Sequence, residues 1–234
     1  MVEENLRLVK ERIERKCAEV KRNPSEIKLI AVSKNFGIEA INHVFNQGNV
    51  DFGENKAQEL DSKYSQLGNK ISWHFIGSLQ RNKVRFVVNS ADYIHSVDSL
   101  MLAVEINKRA ASLNKIQKVL LEIKTSFEDS KAGLNEYSEI KDLADYCKEF
   151  ENISLIGLMT IAPFTDDVNL IKKSFSHLRK LRERLNADNL NIKELSMGMT
   201  SDFEIAIEEG ATMLRIGSAI FGERDYSKSW KEIV

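Results

Sequence analysis

The sequence predicts a (β/α)8 barrel, and three observations carry that prediction. Short, nearly continuous apolar runs of strand length recur eight times along the 234 residues, and segments of helical spacing separate most of them. No GxGxxG fingerprint announces a doubly wound open sheet, which would in addition leave its edges exposed. Parallel strands need crossover connections, those crossovers are right-handed, and eight such units close into a barrel with the sheet inside. A chain of 234 residues suits one such barrel, for which about 200 to 250 is usual, so residues 1–234 are expected to form a single α/β domain.

Leu6, Val9, Ile13, Cys17 and Val20 recur at spacings of three and four, which predicts an amphipathic helix over residues 3–22, stopped before Pro24. Lys28–Ser33 is a short apolar run of the kind buried on both faces of a parallel sheet. Further strands are expected near Val50–Phe52, Ile71–Ile76, Tyr93–Val97, Lys118–Ile123, Ser154–Met159, Ile192–Ser196 and Met213–Ile216. Helices are expected over 38–47, 54–67, 81–89, 98–112, 136–150, 167–186, 202–209 and 226–233. Leu170, Ile171, Phe175, Leu178, Leu181 and Leu185 make the clearest apolar stripe among them.

Lys and Arg number 34 against 35 Asp and Glu, so the basic excess of a nucleic-acid-binding surface is absent and no nucleic-acid partner is expected. The N-terminal stretch MVEENLRLVKERIERK is charged from its third residue and holds no apolar core of signal or membrane-span length. A cytoplasmic protein without a membrane partner is the expectation. Cys17 and Cys147 fall in helical segments without ligand spacing, so buried thiols are expected, with no disulfide framework and no metal site.

Active faces of such barrels lie at the C-terminal ends of the strands, and the loops after strands 7 and 8 often hold a phosphate. Strand 7 ends at Ser196, and Met197-Gly-Met-Thr200 is a turn that lets backbone approach a ligand closely. Ser201-x-x-Glu204 has the form of a capping box opening a helix, whose free N–H groups suit a dianion. Gly217-Ser218 after strand 8 offers a second close approach. Lys34 ends strand 1 and points at the barrel mouth, where it is either a lysine reaching for solvent or an amine that forms Schiff bases. Lysine and phosphate at one mouth suggest a phosphorylated aldehyde: a sugar phosphate in an aldolase, or pyridoxal phosphate. Arg215 lies inside a strand and needs a polar partner, either a carboxylate or the pyridine nitrogen of pyridoxal phosphate. A guanidinium at that nitrogen leaves it unprotonated and weakens the cofactor as an electron sink.

Ala31-Val-Ser-Lys34, Phe52-Gly-Glu-Asn55, His74 through Lys83, Gly157-Leu-Met159, Ser196 through Phe203, Arg215-Ile-Gly217 and Ile220 through Arg224 resemble the pyridoxal phosphate homeostasis protein family. The resemblance spans nearly the whole chain. It implies a fold-type III barrel like the N-terminal domain of alanine racemase, with pyridoxal 5′-phosphate held as an aldimine on Lys34. It also implies Arg215 at the pyridine nitrogen and Thr200, Ser201, Gly217 and Ser218 at the phosphate. Ser196 stands with them as a cofactor-binding candidate. Asn55 is either a bond to the cofactor's ring oxygen or a helix cap; His74 either a contact or a packed histidine; Met159 either a packing surface for the ring or core. Lys131, after Ser126, is functional only by analogy, and His43, His95 and His177 show no pairing. The loop Asn35-Phe-Gly-Ile departs from the Thr-Lys-Pro-like sequence of many members, and Thr200 replaces a common serine while keeping the hydroxyl.

Members of the family are regarded as carriers or regulators of pyridoxal phosphate without an established activity, which makes apoenzymes the expected recipients and a monomer the expected state. An amino-acid racemase is the alternative. A two-base racemase needs an acid/base on each face of the substrate, and in the enzymes resembled one is a tyrosine from a separate C-terminal domain that this chain is not expected to supply. A Schiff-base aldolase leaves Arg215 unexplained.

Overall fold

The computed structural model describes residues 1–125, 133–223 and 230–233. Its strands are β1 (Lys28–Val32), β2 (Asp51–Glu54), β3 (Ser72–Phe75), β4 (Tyr93–Val97), β5 (Gln117–Glu122), β6 (Ile153–Met159), β7 (Glu194–Ser196) and β8 (Met213–Ile216). The helices are α1 (Val2–Glu19), α2 (Ile38–Asn46), α3 (Ala57–Leu67), α4 (Val84–Ser90), α5 (Leu100–Ala111), α6 (Tyr137–Glu149), α7 (Val168–Ala187), α8 (Phe203–Glu208), α9 (Ser218–Phe221) and α10 (Trp230–Ile233). Each strand pairs in parallel with the next, and β8 pairs with β1 through Lys28↔Met213, Leu29↔Leu214, Ile30↔Arg215 and Ala31↔Ile216, which closes the barrel.

Alternation along the strands divides the apolar residues between two layers. Ile30, Leu120, Met159 and Met213 meet inside the barrel, while Ala31, Phe52, Trp73, Phe75, Val119, Leu158, Leu195 and Leu214 face the helices. Runs that must satisfy both layers are continuous rather than alternating, which is why they read as apolar stretches in the sequence. The helices contribute stripes such as Leu6, Val9, Ile13 and Cys17 of α1 and Ile171, Phe175, Leu178, Leu181 and Leu185 of α7. Cys17 and Cys147 are buried free thiols, as expected. Among the described residues no helix is long and apolar enough to cross a membrane.

Several boundaries differ from expectation. The strand near Val50–Phe52 runs Asp51–Glu54, and the helix after it begins at Ala57 rather than residue 54. The segment 81–89 opens as a 3-10 turn, Arg81–Lys83, before α4. A short helix absent from the predicted elements, α9, begins at Ser218 directly after Gly217. The capping box at Ser201 is not formed. Asp202 is the N-cap of α8, and Glu204 turns outward to Arg12 at 3.2 Å and Arg15 at 3.5 Å on α1. Cross-helix charge thus wins over the local reciprocal cap. Lys131 and the first residues of the 226–233 helix lie outside the described residues.

The β5–β6 register slips between Val119↔Leu155 and Leu120↔Gly157, leaving Ile156 as an extra residue on β6. A Cβ on Gly157 would lie 2.5 Å from the Glu194 carbonyl oxygen and 2.9 Å from Leu120 Cδ2. Gly157→Ala is therefore expected to cost about 1–3 kcal/mol by overpacking at the β6–β7 seam. Urea denaturation of the two proteins checks this, and an unchanged midpoint would contradict the tight seam.

Candidate functional site

Because all eight strands are parallel, their C-terminal ends share one rim, and the β1–β8 pairing puts the end of β1 beside the end of β8. Lys34 follows β1 by two residues, half-buried, in register with the inward-facing Ile30. A Cβ on Gly217 would sit 3.4 Å from the carbonyl oxygen and 3.5 Å from Cβ of Val32, so the end of β8 lies against the backbone just before Lys34. The turn after β7 stands on the same rim, since Ser196 pairs with Met213.

Arg215 shares the inward register of Met213 and is only 4% exposed. Its Nη1 donates to Ser196 Oγ at 2.6 Å, its Nη2 donates to the Thr160 carbonyl oxygen at 2.8 Å, and its backbone N–H donates to the Gly198 carbonyl oxygen at 2.9 Å. Burial lowers the guanidinium to about 10, against the opposing charges of Asp202 and Glu122, so it remains charged at neutral pH. Gly198 has φ +93, and a Cβ there would meet Ala206 Cβ at 2.6 Å, which makes glycine a requirement of the turn that holds Arg215. Asp202 closes the same turn by accepting from the Met199 N–H.

From Arg215 a line of polar groups runs through the barrel to its opposite end. His95 Nδ1 is 2.9 Å from Ser196 Oγ, His95 Nε2 is 2.9 Å from His74 Nδ1, and His74 Nε2 is 2.9 Å from Asp51 Oδ1. Asp51 also accepts from Lys28 Nζ at 3.2 Å. Burial lowers both histidines, His95 well below its ordinary value with the help of His74 and Arg215, so both imidazoles are neutral. Burial alone would raise Asp51, but hydrogen bonds from His74 and Lys28 and the charge of Lys28 hold it below the usual carboxylate range. The direction of every bond then follows from the inventory of donors and acceptors. The carboxylate can only accept, so His74 donates from Nε2 and accepts at Nδ1; His95 donates from Nε2 and accepts at Nδ1; Ser196 donates to His95 and accepts from Arg215. The donors all point one way, from the guanidinium toward Asp51.

At the rim, Thr200 Oγ1 lies 3.3 Å from Ser218 Oγ and 3.4 Å from the Ala219 backbone nitrogen, so two hydroxyls and an N–H converge from the ends of β7 and β8. Ser201 is exposed in the same turn. Asn55 does not cap α3, whose N-cap is Lys56, and its buried Oδ1 finds no partner among the described residues. Met159 packs inside the barrel with Ile30, Leu120 and Met213. His74 has both ring nitrogens engaged by protein and stacks on Tyr93 with centroids 4.2 Å apart.

Comparison with known proteins agrees with this arrangement. The family described as alanine racemase, N-terminal domain, matches residues 2–225. The pyridoxal phosphate homeostasis protein of Aquifex aeolicus is 42% identical over 225 residues, 95% of this chain and 98% of its own. The chain belongs to the pyridoxal phosphate homeostasis protein family. Within that family's fold, the structure of PipY from Synechococcus elongatus PCC7942 with PLP bound superposes at a TM-score of 0.79 and 34% identity, over 90% of this chain and 100% of its own. Alanine racemase of Clostridium difficile 630, at 19% identity and a TM-score of 0.75 over 99% of this chain and 60% of its own, shares the fold.

For this pyridoxal phosphate homeostasis family member, His95 is the polar residue that sequence reading left without a role. In the observed strands His74 and His95 each occupy the third position, hence the same inward parity on neighbours. Histidine NMR is expected to show, at neutral pH, protonated Nε2 and bare Nδ1 on both rings. A protonated Nδ1 on either ring would break the one-way chain. Because the unfolded chain takes up protons near 6.5 that these buried rings refuse, their contribution to stability is present above that pH and lost as pH falls through it. Native protein should lose more stability than His95→Gln between about pH 7.5 and 5.5. Parallel pH profiles for the two would exclude a neutral buried His95.

Proposed function

We propose that this chain binds pyridoxal 5′-phosphate in the barrel mouth and holds it reversibly for intracellular homeostasis, as a single-domain monomer in the cytoplasm that passes it to apoenzymes. The observation that carries the reading is the buried Arg215 guanidinium, fixed by Ser196 and Thr160 on the strand next to Lys34. Bound there, the cofactor supplies a reactive aldehyde and an electron-withdrawing ring. Lys34 would make the covalent carbon–nitrogen link to the aldehyde, and Arg215 would donate to the ring nitrogen. Thr200, Ser201, Gly217, Ser218 and the Ala219 N–H would receive the phosphate. Asn55 would donate from its Nδ2 to the ring oxygen, and Met159 would pack on the ring face. Ser196 and His74 would act through Arg215, keeping its donors aimed. A guanidinium that gives no proton to the ring nitrogen leaves the ring a poor electron sink, which favours storage over carbanion chemistry. The names of the relatives support the homeostasis reading, and the PLP-bound PipY supports cofactor binding.

Purified protein should be yellow in the presence of pyridoxal phosphate, and borohydride should fix the label on Lys34. Lys34→Ala should lose the covalent link and keep weaker, phosphate-held binding; a colourless native protein would defeat the proposal. Exchange of solvent deuterium into amino-acid Cα–H bonds should stay far below the enzymatic range of about 1 to 1,000 per second, and turnover within that range would establish an enzyme instead.

A further inference from the structure

Lys34 stands between two residues whose backbones are tied to one buried ionic cluster. Lys63 of α3 is wholly buried, and its ammonium donates to three acceptors: Glu54 Oε1 at 2.7 Å, Glu59 Oε1 at 2.8 Å and the Ser33 carbonyl oxygen at 2.9 Å. The same Glu54 oxygen accepts from Ser33 Oγ at 2.6 Å, and the same Glu59 oxygen accepts from the Asn35 backbone N–H at 2.6 Å. Ser33 precedes Lys34 and Asn35 follows it. Asn35 has φ +63, a left-handed turn out of β1 that a non-glycine residue holds only when its surroundings enforce it, and the Phe36 N–H closes that turn on the Ser33 carbonyl at 3.0 Å.

Three ionisable side chains buried between α3 and the end of β2 are a poor device for stability. An apolar trio of similar volume is often as stable or more so, because each ion gives up its hydration. What an apolar trio cannot do is receive the Ser33 hydroxyl and the Asn35 N–H and donate to the Ser33 carbonyl. We propose that Lys63, Glu54 and Glu59 are positioning residues for Lys34: they clamp the peptide units on both sides of it from outside the barrel, so that the amine between them is presented to the mouth. Burial raises the Glu54 carboxyl to about 7, with Lys63 opposing and the Glu59 charge adding. The proposal rests on Lys34 being the linking amine.

Two variants of the full chain, Lys63→Met and Glu59→Leu, test it. Without any cofactor, hydrogen exchange at the Asn35 amide should accelerate in Glu59→Leu and remain slow in Glu59→Gln, which keeps an acceptor oxygen. With pyridoxal 5′-phosphate, the covalent absorbance band should appear about 10- to 100-fold more slowly in Lys63→Met and Glu59→Leu, the range expected of a reactive group displaced by an ångström or so. Binding of pyridoxine 5′-phosphate, which has an alcohol in place of the aldehyde and cannot link to Lys34, should be unchanged. An unchanged rate in a folded variant would overturn the clamp, as would an equal loss of pyridoxine 5′-phosphate binding, which marks general damage to the mouth. If Lys63→Met does not fold, Glu59→Leu and Glu59→Gln decide. If the native protein forms no covalent band, the role of Lys34 fails, and Asn35 exchange still reports on the clamp.

Discussion

The pairing of β8 with β1 is the constraint on which the rest of the molecule depends. Lys34 and Arg215 are far apart in the chain, and neither is unusual alone. Closing a parallel sheet brings the last strand beside the first and places every C-terminal strand end on one rim, which puts Lys34, two residues past β1, beside the strand that carries Arg215. At the junction a Cβ on Gly217 would be in contact with Val32, 3.4 Å from its carbonyl oxygen. An open sheet with the same strands would separate them by its full width.

Around that junction the fold buries polar groups in two distinct ways. Inside the barrel, Asp51, His74, His95 and Ser196 form a line in which each neutral group donates to the next and only the ends are charged. Neutral links keep the desolvation cost low, and the one-way order leaves Ser196 a lone pair for Arg215. Outside the barrel, Lys63, Glu54 and Glu59 bring ionisable groups into the layer between α3 and the strands, where attraction between them must offset lost hydration. The first arrangement orients a guanidinium, and the second fixes a stretch of backbone.

Both arrangements act on neighbouring strands of the barrel, β8 and the end of β1. Arg215 is held by the turn after β7, through Gly198, while Ser33 and Asn35 are held by the helix after β2. Each gripping element reaches the rim from its own side, so the backbone around Lys34 and the Arg215 guanidinium are held by separate contacts. Under the proposed function, that separation would keep an amine and a guanidinium in place to receive the cofactor.

Much of this was legible in the sequence for physical reasons. Strands buried on both faces must be apolar throughout, so eight such runs alternating with amphipathic segments mark a parallel barrel, and the ends of those runs mark its rim at Lys34, Ser196 and Gly217. Local propensity was less dependable where long-range charge competed: Ser201 and Glu204 have the form of a capping box, yet α1 supplies Arg12 and Arg15 and takes the glutamate away. The partners of His74, His95 and Lys63 could not be read at all, because which inward side chains meet depends on strand register and which helix face meets the sheet depends on packing. The order and kind of the elements follow from the chain's own hydrophobic pattern, which is local; the one-way line and the clamp exist only once distant strands and helices are in contact, because a hydrogen bond is decided by ångströms that no linear spacing contains.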